Sequence, residues 1–170
     1  RSDRNRHALK QIKKIGFTDY KRYAAVDGKN LYKYYQDERL KQYYDLDENR
    51  RWDSSIRKKG LQKLSPGEVG CILSHRNVWE QINKNRPILI LEDDVVFSND
   101  FGSRFRRVYK SLPSDWDIFY IGYINTNGGL LNFSKDLRQA VFVFGSYAYM
   151  LSPRGIAKLL RETPIDRPLD

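Results

Sequence analysis

The sequence predicts an α/β fold: one layered domain, residues 1–170, with a largely parallel central sheet. Short apolar runs alternate along the chain with stretches of helical periodicity, the pattern of strand–helix–strand units. Two of those runs, Tyr23–Val26 and Ile88–Leu91, lead straight into carboxylates, Asp27 and the triplet Glu92-Asp93-Asp94. In parallel sheets ligands gather beyond the carboxyl ends of the strands, where both acidic groups would lie. With 40% hydrophobic and 14% aromatic residues, 170 residues suffice for one core.

The elements follow in order. Ala8, Leu9, Ile12 and Ile15 have helical spacing, and Gly16 is placed to stop that helix. Tyr23–Val26 reads as a short strand ended by the turn dipeptide Asp27-Gly28. Residues 31–60 mix Tyr with charged residues at weak periodicity and are expected to be partly helical, at the surface and mobile. Ser65-Pro66-Gly67-Glu68 is a capping box with proline in the first turn, predicting a helix over 66–84. On it Cys71, His75, Val78 and Ile82 share one stripe. Arg86-Pro87 ends the helix and the strand Ile88–Leu91 begins. A helix over 99–111, with Phe101, Phe105, Val108 and Leu112 aligned, precedes a strand over 117–121. After a Gly-rich turn at 125–129, Ala140–Phe144 and Tyr147–Leu151 read as two strands separated by Gly145-Ser146. Ser152-Pro153 then caps a last helix with Ile156, Leu159 and Leu160 on its apolar face.

The chemistry concentrates in Ile88-Leu-Ile-Leu-Glu92-Asp93-Asp94-Val95. Adjacent carboxylates raise the cost of ionising one another unless a cation or hydrogen-bond donors sit among them. A hard divalent ion with oxygen ligands and open positions for phosphate oxygens is one remedy, and a solvated strand-end turn is the plain alternative. Continued strand geometry would place Glu92 and Asp94 on one side and Asp93 on the other. Glycoside hydrolysis fits poorly, because its two carboxylates must flank the scissile bond roughly 5–9.5 Å apart.

A net charge of +10 permits nucleic-acid binding, but the basic residues are mixed with acids and no nucleic-acid-binding motif is present. No nucleic-acid partner is expected; the field suits an anionic ligand such as a nucleotide diphosphate. No run approaches the ~20 apolar residues of a membrane helix. The single cysteine, Cys71, excludes an internal disulfide and leaves the compartment open between cytoplasm and endoplasmic reticulum lumen. The chain opens on Arg1 without a methionine and closes on Asp170, so it is expected to be cut at both ends; its oligomeric state is unreadable.

Taken in order, several segments resemble glycosyltransferase family 25, the lipooligosaccharide and collagen hydroxylysine galactosyltransferases. They are Arg1-Ser-Asp-Arg4, Ala25-Val-Asp-Gly28, Leu64-Ser-Pro-Gly-Glu-Val-Gly-Cys-Ile-Leu-Ser-His75 with Trp79, and Ile90-Leu-Glu-Asp-Asp-Val95. Asp115-Trp-Asp-Ile-Phe-Tyr-Ile-Gly122, Gly145-Ser-Tyr-Ala-Tyr149, Ser152-Pro-Arg-Gly155 and Pro164-Ile-Asp-Arg-Pro-Leu169 complete the set. The resemblance implies a GT-A-type, Rossmann-like domain, truncated at both ends relative to the family. It implies inverting transfer of galactose or glucose from a UDP-sugar donor to a hydroxyl acceptor, on a collagen-like protein or an oligosaccharide. The triplet then stands for the family's DxD element. Asp94, helped by Glu92, would hold Mn2+ or Mg2+ at the diphosphate, and Asp93 would bond the donor's ribose or sugar. Arg4 and Asp27 would contact the nucleotide, and His75 the diphosphate or the metal. Inversion needs a base opposite the leaving group, and Asp166 is the candidate, with Asp170 second. Each has a plainer role: His75 as a bonded core histidine, Asp27 and Asp166 as turn residues. A non-catalytic nucleotide- or protein-binding module on the same fold is the alternative function.

Overall fold

The computed structural model describes residues 2–34, 36–49, 60–125, 130–141, 143–162 and 164–169. Residues 126–129 of the turn expected at 125–129, residues 35 and 50–59 of the charged segment, Arg1 of the first motif and the secondary base candidate Asp170 lie outside the described residues. The first helix, α1, spans Ser2–Lys14 and stops where Gly16 takes a φ of 76°. There the N–H of Phe17 donates to the Ile12 carbonyl and that of Gly16 to Lys13, a Schellman ending that only glycine enters without strain.

The described part of the charged segment that follows is partly helical, as expected. It holds the short helices α2 (Leu31–Tyr34) and α3 (Leu46–Asn49) and an antiparallel pair, β1 (Tyr43–Asp45) with β2 (Leu61–Lys63). Helix α4 (Pro66–Gln81) begins with the predicted capping box, both arms formed. Strand β3 (Ile88–Leu91), helix α5 (Phe101–Tyr109), strands β4 (Ile118–Asn125), β5 (Leu130–Asn132), β6 (Arg138–Ala140) and β7 (Val143–Leu151), and helix α6 (Pro153–Arg161) complete the chain.

The expected parallel sheet does not form among the described residues. The main sheet has the order β3–β7–β4, and both pairings are antiparallel. β3 and β4 do run in the same direction, and α5 joins them as a crossover, as the alternation of elements implied. The long strand β7, however, takes the place between them and reverses the pairing on both edges. A sequence reveals strand direction through its connections more readily than strand adjacency. Tyr23–Val26, expected as a strand, belongs to no sheet. Just after it, Gly28 crosses the first turn of α4 at very close range: a Cβ there would lie 1.7 Å from the Pro66 carbonyl oxygen. The Val26 N–H donates to Ser74 Oγ, 2.8 Å away, instead of to a neighbouring strand.

Helix α4 connects two apolar clusters. Val69, Ile72 and Leu73 pack with Leu40 and Leu64 in one; Trp79 packs with Ile90, Tyr149, Leu151 and Ile156 in the other. The helix is therefore buried over most of its circumference, which a single stripe through Cys71 and His75 understated. Arg76 is 7% exposed; it pairs with Glu80 and donates to the Leu159 and Leu160 carbonyls. Those carbonyls belong to the last turn of α6, whose orphan acceptors attract a cation. Ile165 and Leu169 pack against both clusters, and an isolated parallel bridge from Leu40 to Ile165 fixes the C-terminal segment.

Helix α6 begins at the Ser152 cap, which accepts from Gly155 N, and Gly155 lies against the strand entering β4. A Cβ on Gly155 would stand 2.1 Å from the Asp117 carbonyl oxygen, backbone that cannot step aside. Gly155→Ala is therefore expected to cost ~3 kcal/mol, read by urea unfolding. Gly67→Ala, where the nearest atom lies 3.9 Å away, should instead stabilise α4 by up to about 1 kcal/mol.

Candidate functional site

Strand pairing stops at Leu91, and the acidic triplet sits where the chain turns away. Glu92 keeps one last tie to the sheet, its N–H donating to the Tyr147 carbonyl at 2.8 Å. Asp93 and Asp94 occupy a turn, so strand alternation no longer governs them.

Helix α1 lies across the segment that follows. Arg4, His7, Gln11 and Lys14, spaced to share one helical face, each bond to it. The Arg4 guanidinium donates to Asp93 Oδ1 at 2.8 Å and lies 3.3 Å from Asp94 Oδ2. His7 Nε2 meets the Val95 carbonyl at 2.9 Å, the Gln11 side chain accepts from Phe97 N–H at 3.0 Å, and Lys14 donates to the Phe97 carbonyl at 2.6 Å. The carboxylates raise the Arg4 pKa, first through the bond to Asp93. Both aspartate side chains are about half exposed, 51% each, so water screens this clasp and an incoming ion or phosphate can compete with it.

Glu92 points elsewhere. Its Oε1 accepts from Ser146 Oγ at 2.8 Å and lies 3.6 Å from His75 Nε2. Ser146 reaches it because β7 bulges: Gly122 of β4 pairs with Ala148 and Ile124 with Phe144, so Gly145, Ser146 and Tyr147 crowd opposite a single residue. Gly145 takes a φ of 92° there, and a Cβ would strike the Tyr147 ring. Bulges of this kind re-aim side chains beside functional sites. The predicted gap between two strands is this bulge inside one continuous strand.

Behind Glu92 a buried chain of hydrogen bonds runs into the core. The Trp79 indole N–H donates to the Tyr149 hydroxyl at 2.9 Å, and that hydroxyl lies 2.7 Å from His75 Nδ1. Since the indole can only donate, the phenol oxygen accepts from it, and the phenol hydrogen is available to His75 Nδ1. Burial drives the Tyr149 pKa well above the usual phenol range, so the hydroxyl keeps its proton.

The seven predicted site residues thus fall into separate settings. Arg4, Asp93 and Asp94 form one group, and Glu92 and His75 another, joined through the triplet. Asp27 is held in a local turn, accepting from Lys29 N–H at 3.0 Å. Asp166 accepts from Arg167 Nε at 2.9 Å and lies 3.8 Å from Lys41 Nζ; the Arg167 bond holds its carboxyl below the usual range. Ser146 and Tyr149 lie in a segment the sequence marks, Gly145–Tyr149, without a role in the site being assigned to either. The glycine before Ser146 was the available signal, read as a strand break.

The accessible oxygen donors of Asp93 and Asp94 fit a hard divalent ion such as Mg2+ or Mn2+. Cys71, His75 and Glu92 have ligand atoms within 4.8 Å of one another, a set of different softness. Among the described residues no helix is long and apolar enough to cross a membrane.

Residues 1–167 match the model of glycosyltransferase family 25 (LPS biosynthesis protein). A glycosyltransferase 25 family member from Anopheles gambiae is 30% identical over 99% of this chain and 28% of its own length. Procollagen galactosyltransferase 1 of Danio rerio is 32% identical, over 62% of this chain and 19% of its own length. Inactive glycosyltransferase 25 family member 3 of Homo sapiens is 34% identical over the same shares, 62% and 19%. The chain thus spans less than a third of the curated relatives it matches.

Tyr149→Phe should orphan both the Trp79 indole and His75 Nδ1 in a buried setting, lowering stability by about 1–3 kcal/mol in urea unfolding.

Proposed function

We propose, on the premise that this chain belongs to glycosyltransferase family 25, that it transfers galactose or glucose from a UDP-sugar to a hydroxyl acceptor. The observation that carries the reading is the exposed pair Asp93 and Asp94 at the end of β3, with the Arg4 guanidinium against them. Asp94, aided by Glu92, would hold Mn2+ or Mg2+, and Asp93 would bond the donor's ribose or sugar. The ion would supply Lewis-acid stabilisation of the departing diphosphate. Arg4 would exchange its carboxylate partners for a phosphate oxygen, and His75, whose Nε2 lies 3.6 Å from Glu92 Oε1, would contact the diphosphate or the metal. Asp27 would meet the nucleotide at the base or ribose. Asp166, kept ionised by Arg167, would take the acceptor's proton; its depressed pKa makes it a weak base that is nonetheless always charged at neutral pH.

The relative named a procollagen galactosyltransferase favours a collagen-like hydroxyl acceptor, and an oligosaccharide acceptor follows the family description. A second reading, a nucleotide- or protein-binding module without turnover, is favoured by the relatives named inactive and by the clasp of Arg4 on the acidic pair.

Thermal unfolding with UDP, UDP-galactose and UDP-glucose, each with and without Mn2+, tests the donor site. A ligand at 100 times its dissociation constant should add ~2.7 kcal/mol, and Asp94→Ala should abolish the Mn2+-dependent part. No shift with any nucleotide overturns the reading. Asp166→Asn should retain the shift while lowering transfer about 10²–10⁴-fold; binding without transfer in the unaltered chain selects the second reading.

A further inference from the structure

Cys71 and His75 lie one turn apart on α4, on the same face, and Glu92 reaches them from the end of β3. Their ligand atoms lie within 4.8 Å of one another, and His75 Nε2 stands 3.6 Å from Glu92 Oε1. In a tetrahedral zinc site such atoms stand about 3.3–3.6 Å apart, so the His75–Glu92 edge is already at bonding separation, and the edges to the Cys71 sulfur, which lie within 4.8 Å, would close by up to about 1.3 Å. We propose that Cys71, His75 and Glu92 form a binding site for a zinc-class ion, distinct in donor chemistry from the oxygen pair Asp93 and Asp94. One sulfur, one nitrogen and one carboxylate oxygen suit Zn2+ far better than Mn2+ or Mg2+. Three protein ligands leave a fourth position open to water or an added ligand.

The surroundings are those a metal site needs. Ligating histidines use their second nitrogen to bond a neighbour, and His75 Nδ1 faces the Tyr149 hydroxyl at 2.7 Å. Ligation at Nε2 leaves the ring proton on Nδ1, from where it donates to the phenol oxygen, and the phenol hydrogen turns off the Nδ1 axis. Ser146 Oγ donates to Glu92 Oε1 at 2.8 Å and so orients the carboxylate. His75 is 7% exposed, whereas Cys71 and Glu92 are only partly buried, which leaves an approach from their side. Binding converts the Cys71 thiol to a thiolate and releases its proton to solvent. Glu92 is common to this site and to the donor turn, so zinc withdraws a carboxylate from that turn; this consequence, unlike the site itself, rests on the proposed function.

The test is titration of the untagged, metal-free chain with Co2+ and then Zn2+. One equivalent of Co2+ should give a thiolate-to-cobalt charge-transfer band, bleached by one equivalent of Zn2+ and untouched by excess Mn2+. Cys71→Ser should remove the band and weaken Zn2+ binding about 100-fold or more. Glu92→Gln, at the part-exposed turn, is a second variant that should weaken it too, while His7→Gln, the only other imidazole, should change nothing. Absence of the band, or a band that survives Cys71→Ser with circular dichroism unchanged, overturns the site. Zinc that binds yet leaves Mn2+-dependent UDP stabilisation intact overturns the sharing of Glu92. A band without any UDP stabilisation counts against the proposed function alone.

Discussion

Strand β7 is the element on which the rest of the molecule depends, because it is bonded on both edges and feeds both the core and the acidic turn. Tyr149 and Leu151 point into the cluster shared with α4 and α6. Tyr147 supplies the last backbone bond to Glu92, and Ser146 bonds the same residue's side chain. A slip of one residue against β3 would exchange the two faces of β7 and remove Tyr149 from Trp79 and His75 together. The Gly145 bulge makes such a slip unfavourable: its extra residues fit opposite β4 in only one register. Fold and site are therefore fixed by the same strand.

The second constraint is the crowding of three carboxylates. The molecule handles it by dispersal. Glu92 is turned inward to a hydroxyl and an imidazole, and Asp93 and Asp94 outward to one guanidinium. Helix α1 is held to that segment by four side chains, so its position and the charge state of the turn are coupled. Elsewhere the same economy recurs: Asp117 takes Arg154 and Lys158, Asp37 takes Arg39, and Asp166 takes Arg167, each carboxyl held below its ordinary range by the bond to its partner. The Asp166–Arg167 pair is exposed, and the other two are part-buried on the carboxylate side.

Much of this was legible in the sequence because the deciding interactions are local. The Gly16 stop, the capping box at Ser65, the Ser152 cap and the strand into the acidic triplet all rest on residues within a few positions of one another. What the sequence did not disclose depends on distant pairs. The insertion of β7 between β3 and β4 is a choice of neighbour that no local pattern encodes. The dispersal of the triplet follows from where strand pairing ends, one residue before Glu92, and from a helix some ninety positions earlier in the chain. Ser146 carries no readable role because a glycine in an apolar run signals a break and a bulge equally well.

The division within the triplet bears on how its members can act. Asp93 and Asp94 are paired with a flexible guanidinium and open to water, so exchanging partners costs them little reorganisation. Glu92 is held by its own backbone bond, by Ser146 and by the imidazole that Tyr149 orients. Moving it breaks several contacts at once, and those contacts lead without interruption to the Trp79 indole in the core. A ligand that draws Glu92 outward is opposed by the packing of β7 and α4, while one that draws it inward is favoured by the arrangement already present. On the proposed function, Asp94 is then the member free to answer the donor's ion first, and Glu92 the member through which the state of the core is communicated to that ion.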